Sequence, residues 1–224
     1  MRDGEFNVRR CRLSRISETR YLASMIAEDR EMGDAPYLEN HFLIAMPGMR
    51  DERFARSVIY LCAHSEEGAM GLIINQPQQL AFPDILVQLG ILDQKEAIRL
   101  PREARELPVR NGGPVDRSRG FVLHSEDVTV ESSMPVSNHI YLTATVDMLR
   151  AISLGRGPRQ AMMALGYAGW GAGQLETEIG ENGWLTCPAT PKLLFEGDVD
   201  RKYEGILAAL GIDATHLSHF AGHA

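Results

Sequence analysis

Short apolar runs, each about the length of one β-strand, dominate the middle of this 224-residue sequence. The runs HFLIAMP, SVIYLCAHS and GAMGLIINQP come first, and RGFVLHS, HIYLTAT and QAMMALGYAGW follow after a helical stretch. A short connection that contains glycine joins the second run to the third, which is typical of a β-hairpin. Because strands and helices do not alternate steadily, this order predicts a mixed α+β fold and not a doubly wound parallel sheet.

Four segments between and after these runs are predicted as helices: 82–91, 145–155, 173–182 and 199–212. Thr145 is placed to cap the second helix, and Gly155 and Gly211 are placed to end the second and the fourth. Residues 93–106 are rich in charge, and we expect them to form an exposed connection.

The first 36 residues differ in character from the rest of the chain. Residues 1–30 hold seven arginines and five acidic residues, a net charge of +2, whereas the whole chain carries −7, so the remainder carries −9. An apolar stripe within this segment is compatible with one helix, but the composition is also that of a disordered extension. We therefore predict an N-terminal extension over residues 1–36, helical or disordered, and a single domain over residues 37–224.

Charge, cysteine content and hydropathy limit the cellular compartments and the classes of partner that are compatible with this sequence. The acidic balance opposes long-range attraction to nucleic acid. The cysteines at positions 11, 62 and 187 are far apart and form no CxxC pair, which is typical of a reducing compartment and gives no metal signature. No window approaches the roughly 20 apolar residues that span a bilayer, and the N-terminus lacks the apolar segment of a secretory signal. We therefore expect a cytoplasmic protein without a membrane segment, a cofactor or a metal.

The glycine-rich stretch GYAGWGAGQLETEI allows two interpretations. A strand followed by glycines and the start of a helix is the geometry that binds phosphate at a helix N-terminus. The spacing fits neither of the standard patterns, because Gln174 stands where GxGxxG needs its third glycine and no P-loop lysine follows. Glu176 and Glu178 would also repel a polyanion from the first turn of the helix. We therefore predict that the glycines permit close backbone packing beside Tyr167 and Trp170.

Three long motifs resemble one known family. They are FLIAMPGMRDERFARSVIYLCAHSEEGAMGLIINQP, NGGPVDRSRGFVLHS and LGYAGWGAGQLETEIGENGWL, and the resemblance runs from about Tyr37 to about Leu210. On these residues the chain resembles the YqgE/AlgH family of bacterial proteins. The resemblance implies a bifurcated, mostly antiparallel β-sheet, partly closed into a small barrel and flanked by helices, in a bacterial cytoplasmic protein. It implies no activity, because the family has no established catalytic residue, cofactor or substrate, and its label of transcriptional regulator comes from a supposed role in regulating alginate genes.

The loops MPGM, NGGPV and GYAGWGAGQL within these motifs form the candidate recognition surface. We predict a non-enzymatic regulatory protein that binds an unknown protein partner there, and we assign no catalytic residue. The predicted surface consists of Met46, Pro47, Gly48, Asn111, Gly112, Gly113, Tyr167, Trp170, Gly171 and Gln174. Two alternatives stay open: a DNA-binding transcriptional regulator that uses the Arg-rich N-terminus, and an enzyme or nucleotide- or metal-binding protein that uses the glycine turn or the strand-end histidines.

Histidines and cysteines offer the remaining chemistry. Two strands end in His-Ser-Glu, so His64 and His124 could converge on a metal or an acid–base site if those strands are neighbours; otherwise they are polar residues where strands leave the core. Cys62 lies two residues before His64, and strand alternation predicts that both side chains point the same way. Such a pair is either a reactive thiolate or a small buried side chain beside a histidine. Cys187 is expected near an exposed edge and is the better candidate for a reactive thiol.

The loop MPGMRDERFARS is dense in charge, and its charged residues are Arg50, Asp51, Glu52, Arg53 and Arg56. Two interpretations stay open for it. It is either a partner-binding loop or a solvated loop that Phe54 anchors.

Overall fold

A computed structural model describes residues 37–212 of the protein, and its central element is one nine-stranded sheet. The strands are β1 (His41–Ala45), β2 (Val58–Ser65), β3 (Gly68–Ile73), β4 (Val109–Asn111), β5 (Val115–Ser125), β6 (Met134–Ser137), β7 (Ile140–Thr143), β8 (Ala161–Gly171) and β9 (Trp184–Pro188). The predictions for residues 1–36 lie outside the described residues. Within residues 37–212, no helix is both long enough and apolar enough to cross a membrane.

The sheet forks at β8, which with β5 is one of its two longest strands. The strand order is β6-β7-β5-β8-β3-β2-β1-β9, and β4 pairs with β8 beside this path. The first half of β8 pairs with β4 and β5 at Met163 and Ala164, whereas its second half pairs with β3 from Ala168 to Gly171. Only the pairing of β4 with β8 is parallel among the named strands. The sheet curls into a half-barrel flanked by helices, so the predicted α+β class with a bifurcated, mostly antiparallel sheet is confirmed.

Seven short helices and one 3₁₀ turn surround the sheet within the described residues. The helices are α1 (Phe82–Gln88), α2 (Gln94–Ile98), α3 (Arg102–Arg105), α4 (Val146–Ser153), α5 (Gln174–Gly180), α6 (Pro191–Phe195) and α7 (Lys202–Ala209), and the 3₁₀ turn is Glu52–Phe54. The four predicted helices are therefore present as α1, α4, α5 and α7. Thr145 stands at the N-cap position of α4, but its side chain makes no capping hydrogen bond and contacts the Ser132 hydroxyl instead. The expected capping role of Thr145 is therefore wrong.

The connection over residues 93–106 is not irregular, because α2 and α3 lie within it. A capping box begins α2: the Asp93 carboxylate accepts from the Glu96 N–H, and the Glu96 carboxylate accepts from the Asp93 N–H, both at 2.8 Å. This signal is visible in the sequence. Most of the segment is exposed, as expected from its charge, but charge alone did not indicate the two helices within it.

Apolar side chains on the sheet separate into layers because successive residues of a strand point to opposite faces. In β1, Phe42 and Ile44 join the cluster to which α6 and α7 contribute, while Leu43 and Ala45 join a cluster on the opposite face of the strand. We call these the inner face and the outer face. Helices α6 and α7 contribute to the inner cluster, and α5 contributes to the outer cluster. A third cluster packs α1 and α4 against the other side of the β4–β5–β8 region.

Candidate functional site

Two glycine-bearing segments meet where the sheet forks. Gly112 donates its N–H to the Leu165 carbonyl at 2.8 Å, and its own carbonyl accepts from the Ile73 N–H at 2.9 Å. A Cβ on Gly112 would lie 2.3 Å from the Gly166 carbonyl oxygen, and one on Gly113 would lie 2.2 Å from the Tyr167 carbonyl carbon. No side chain fits at either position. The fork therefore depends on glycine for the close approach of two backbones.

The backbone groups at the end of the glycine-rich stretch, where α5 begins, also make hydrogen bonds within the protein. Gly173 has φ of +71° at the N-cap of α5, and its carbonyl accepts from the Thr177 hydroxyl. The Gly171 N–H, which a phosphate would need, donates to the Gln174 side-chain oxygen at 3.1 Å. The predicted structural role of the glycines is therefore confirmed at the fork and at this turn.

Tyr167 and Trp170, which were predicted to share one surface, lie on opposite faces of β8. Tyr167 packs against the inner cluster, with its ring centroid 5.9 Å from that of Phe121. Trp170 belongs to the outer cluster and is only 7% exposed. The separation follows from the alternation of side chains along a strand, since residues three apart point in opposite directions. The expectation that Trp170 offers an accessible contact is wrong for this structure.

Glu178 on α5 holds both tryptophans of the chain. The indole N–H groups of Trp170 and Trp184 donate to the same carboxylate oxygen, at 2.9 and 2.8 Å. The Gln174 amide donates to the other oxygen at 2.9 Å. The two indole rings meet edge to face, with centroids 5.9 Å apart. Sequence reasoning assigned Glu178 only an electrostatic effect at the helix start, whereas the structure makes it the hydrogen-bonding centre of the outer cluster.

The Met46–Gly48 turn is hydrogen-bonded beside Trp184. The Met46 N–H donates to the Gly183 carbonyl at 3.0 Å, next to Trp184. Phe54 packs edge-on to the Trp184 ring at 5.7 Å, so the proposed anchoring of this loop by Phe54 is confirmed. Of the ten predicted surface residues, the structure thus groups Asn111, Gly112, Gly113 and Tyr167 at the fork, and the others cluster around Trp184 and α5.

The charged loop makes contacts within itself, with α7, and with the side chains of Asn75 and Gln76 after β3. The Asp51 carboxylate accepts three hydrogen bonds from Nε and Nη2 of Arg53 and one from the Arg53 backbone N–H, and these contacts lower the pKa of the Asp51 carboxyl. Arg56 forms an ion pair with Glu204 and lies 4.7 Å over the Tyr203 ring. This loop remains exposed, so its role in binding a partner stays a prediction.

His64 and His124 do not converge, because β3 and β8 lie between their strands. The His64 Nδ1 accepts from the Leu38 N–H at 3.0 Å, and its Nε2–H donates to Glu176 at 2.8 Å. The His124 Nε2 is 2.8 Å from the Thr143 hydroxyl, and its Nδ1 is 2.9 Å from the Ser125 carbonyl. Burial lowers the pKa of His124, opposed by its contact with the Ser125 carbonyl. The two histidines therefore do not form the shared site that neighbouring strands would have allowed.

Cys62 and His64 point to opposite faces, so that expectation is wrong. The register between β2 and β3 shifts between Leu61 and Ala63, which makes Cys62 the extra residue of a β-bulge. Cys62 and Ala63 both join the inner cluster, and His64 returns to the side of Glu176. A bulge breaks the two-residue period on which the expectation relied. Burial raises the pKa of the Cys62 thiol far above its usual range.

Cys187 lies on the edge strand β9, but its side chain is only 4% exposed. It belongs to the inner cluster, and burial raises the pKa of its thiol. The expected exposure is therefore wrong, although modification of this thiol stays a prediction. Within residues 37–212, no group of three or more His, Cys, Asp or Glu side chains is arranged to hold a metal ion.

Two cations on the inner face escaped the sequence analysis. Arg110 stands in β4, and Lys202 begins α7 with its ammonium group buried against the end of α6. A charged residue within a strand or at the start of a helix with an apolar stripe is a visible signal. The sequence does not show, however, that the Lys202 ammonium group donates to the carbonyls of Leu193, Leu194 and Glu196.

Comparison with known proteins places the chain among bacterial relatives. The sequence profile of the DUF179 family, described as AlgH-like, matches residues 42–215. The chain is 73% identical over 188 residues to UPF0301 protein mlr7511 of Mesorhizobium japonicum, and the aligned region covers 84% of this chain and 93% of that protein. It is 58% identical over 201 residues to UPF0301 protein Atu0781 of Agrobacterium fabrum, covering 90% and 98% respectively.

Solved structures give the same result. The solution structure of the AlgH protein from Pseudomonas aeruginosa is similar, with a TM-score of 0.69 and 41% identity over 87% of this chain and 100% of that one. Protein DIP2367 from Corynebacterium diphtheriae shares the fold, with a TM-score of 0.61 and 20% identity over 83% of this chain and 92% of that one. From the profile match, the close relatives and the shared fold, the chain belongs to the AlgH-like family.

Proposed function

We propose that this protein is a non-enzymatic, cytoplasmic regulatory protein that acts by binding a protein partner. One observation carries the proposal: the side chains best suited to catalysis are already engaged in internal structure. Both ring nitrogens of His64 and of His124 make internal hydrogen bonds. A general base needs a free nitrogen within reach of a substrate proton, and neither ring offers one in this arrangement.

The thiols support the same proposal. Cys62 and Cys187 are free and buried, and burial raises the pKa of each. A thiol with a raised pKa is a poor nucleophile at neutral pH, because the thiolate is the reactive form. Two unpaired cysteines are also typical of a reducing compartment, which supports the cytoplasmic assignment.

The partner surface that we propose begins at the fork. The turn from Asn111 to Gly113 is held rigidly, because the Asn111 side chain donates to Gln76 at 3.0 Å and the glycines pack against Gly166 and Tyr167. The chain then enters β5 through four exposed residues, 115–118. An exposed segment on a rigid base is a common arrangement for recognition, since little conformational entropy is lost on binding.

Val115 provides the apolar contact in this surface. Its side chain is 38% exposed although it is a large hydrophobic residue. Asp116 and Arg117 follow it and supply one charge of each sign. An apolar centre with a charged surround is typical of protein interfaces.

The proposal is tested by comparing two surface variants in quantitative pulldowns from a lysate of the bacterium that makes the protein. Val115→Asp places a charge at the centre of the proposed surface. Ile98→Asp is the matched control, because Ile98 is 75% exposed on α2. We expect Val115→Asp to lose partners that the wild type and Ile98→Asp retain, with equal thermal midpoints for all three. A partner set that survives Val115→Asp, or that both variants lose equally, would contradict the assignment of the surface.

A further inference from the structure

His64, near the end of β2, holds the segment that leads into β1. Its Nδ1 accepts from the Leu38 backbone N–H at 3.0 Å, and the Tyr37 ring lies edge-on to the imidazole, with centroids 5.3 Å apart. The Leu38 side chain packs against the outer cluster. Residues 1–36 join the domain at this point of the chain. Their attachment therefore includes a backbone hydrogen bond to an ionisable ring.

The Leu38 bond requires one protonation state of the ring. A backbone N–H only donates, so it bonds to a ring nitrogen that has a lone pair and no proton. The His64 Nε2 then carries the proton of the neutral imidazole and donates it to the Glu176 carboxylate at 2.8 Å. In the imidazolium both nitrogens carry protons, and Nδ1 loses the lone pair that the Leu38 N–H needs. The Leu38 contact is therefore specific to neutral His64.

The Glu176 contact favours the opposite charge state. A carboxylate within hydrogen-bond distance stabilises the imidazolium, because opposite charges attract. The Glu176 side chain is 52% exposed, so it keeps its negative charge in contact with water. The pKa of Glu176 is lowered first by a bond to its own backbone N–H and then by its hydrogen bond to His64, while burial opposes the change. His64 thus has two partners that require different charge states.

The surroundings of the ring act in both directions as well. His64 is only 1% exposed, and it pairs with Ala69 of β3, which pairs in turn with Trp170 of β8. Burial disfavours a charged ring and acts together with the Leu38 N–H. Acidic neighbours oppose this effect. The titratable residues on the elements packed around His64 are Glu176 and Glu178 on α5, Tyr37, Glu39 and His41 in the segment that enters β1, and Glu66 and Glu67 after β2.

We infer that His64 is a pH-sensitive switch for the attachment of the segment that leads into β1. Neutral His64 holds Leu38 through Nδ1. Protonated His64 keeps its contact with Glu176 and releases the Leu38 N–H. Histidine is suited to this role, because its charge changes between about pH 5 and pH 8. The switch acts on the attachment of residues 1–36 and does not depend on the proposed partner surface at residues 115–118.

The release should end before Asn40. The Asn40 N–H donates to the Leu61 carbonyl at 3.0 Å, and the Asn40 carbonyl accepts from the Ala189 N–H at 2.9 Å. Neither bond involves an ionisable group, so both persist when His64 gains a proton. The pairing of β1 with β2 and β9 therefore stays in place, and the switch leaves the fold of the domain unchanged.

Amide hydrogen exchange in the full-length protein, resolved by NMR between about pH 8 and about pH 5, tests the inference. The measured quantity is the protection factor, which corrects for the intrinsic pH dependence of exchange. We expect the protection of the Leu38 amide to fall by about tenfold as the pH decreases, which corresponds to the loss of one hydrogen bond. Protection of the Met46 amide, which donates to the Gly183 carbonyl, should stay constant. The midpoint of the Leu38 change should match that of the His64 ring signals.

Three variants separate the switch from general effects of pH. His64→Asn keeps an acceptor oxygen near the position of Nδ1 but takes up no proton, so the protection of Leu38 should no longer depend on pH. His139→Asn is the matched control, because His139 is an exposed histidine whose Nδ1 lies 3.1 Å from Glu126, and it should behave like the wild type. Glu176→Gln should move the loss of Leu38 protection to lower pH, since the removed carboxylate favours the imidazolium.

Three results would overturn the inference. They are an unchanged protection of Leu38 in the wild type over this pH range, a midpoint that differs from that of the His64 ring signals, and a pH dependence that persists in His64→Asn. The first two are measured on the wild type, so they decide the matter even if His64→Asn folds poorly. A shift of the Leu38 change to higher pH in Glu176→Gln would overturn the role of the carboxylate.

Discussion

Removal of the Glu178 carboxylate should release both tryptophans at once. In Glu178→Ala, the indole N–H groups of Trp170 and Trp184 lose their shared acceptor, and Gln174 loses its partner. Both indoles are buried, and an unsatisfied buried donor costs about 1–3 kcal/mol. Glu178 is itself only half-buried, so water can reach part of the vacated space. We therefore expect the free energy of unfolding to fall by about 2–4 kcal/mol.

Glu178→Gln separates the loss of charge from the loss of the acceptor. With its oxygen turned to the indoles, the amide places its NH2 group against the donating Gln174 amide, so the charge assistance of two bonds and the whole bond to Gln174 are lost. We expect a decrease of about 1–2 kcal/mol, smaller than in Glu178→Ala, because the buried indoles keep an acceptor. Glu181→Gln is the control, because Glu181 is an exposed residue just after α5 with no recorded side-chain bond.

Urea unfolding followed by tryptophan fluorescence measures these changes directly, because the two indoles are the chain's only tryptophans. The folded-state emission of Glu178→Ala should also shift to longer wavelength as the indoles become hydrated. The reasoning fails if Glu178→Ala lies within about 0.5 kcal/mol of the wild type, the range of ordinary surface substitutions. It also fails if Glu181→Gln is as destabilised as Glu178→Ala.

Three further predictions follow from the same contacts. Gly113→Ala should lower the free energy of unfolding by at least about 3 kcal/mol, because its Cβ would lie 2.2 Å from the Tyr167 backbone. Gly180→Ala is the control, since a Cβ there has no atom within 4 Å, and its free energy of unfolding in denaturant titrations should stay within about 1 kcal/mol of the wild type. Burial lowers the pKa of His124, so the unfolded state takes up a proton at a higher pH than the folded state does. The free energy of unfolding should therefore decrease as the pH falls through about 6.5 and level off below the folded-state pKa of His124. This part of the decrease should be missing in His124→Gln, and an identical pH profile for the variant and the wild type would contradict the prediction. Iodoacetamide should modify Cys62 and Cys187 far more slowly in the folded protein than in urea, by peptide mass mapping, and equal rates would show that the thiols are not protected.

Local patterns predicted most of the elements of this fold. The hairpin of β2 and β3, the helices α1, α4, α5 and α7, and the mixed α+β class all follow from short-range periodicity and turn residues. The forked sheet, in contrast, was implied only by the resemblance to a family. Periodicity identifies a strand but not its neighbours, because strand pairing depends on contacts between residues far apart in the sequence.

The candidate site was harder to predict than the fold. Tyr167 and Trp170 stand three residues apart in one motif, yet they point to opposite faces of β8. Cys62 and His64 are separated by two residues, yet the bulge directs them apart. A single extra residue reverses the orientation of every side chain that follows it in a strand, and no local pattern in the sequence indicated the bulge at Cys62.

The sequence by itself determined where the backbone bends and which segments are apolar, because glycine, proline and hydrophobic spacing act within a few residues. Only the tertiary structure decided which groups meet. It brought Glu178 to two indoles and Gly113 to the backbone of Tyr167. Such meetings depend on the register of distant strands and on how helices pack over them, and these are properties of the whole folded chain.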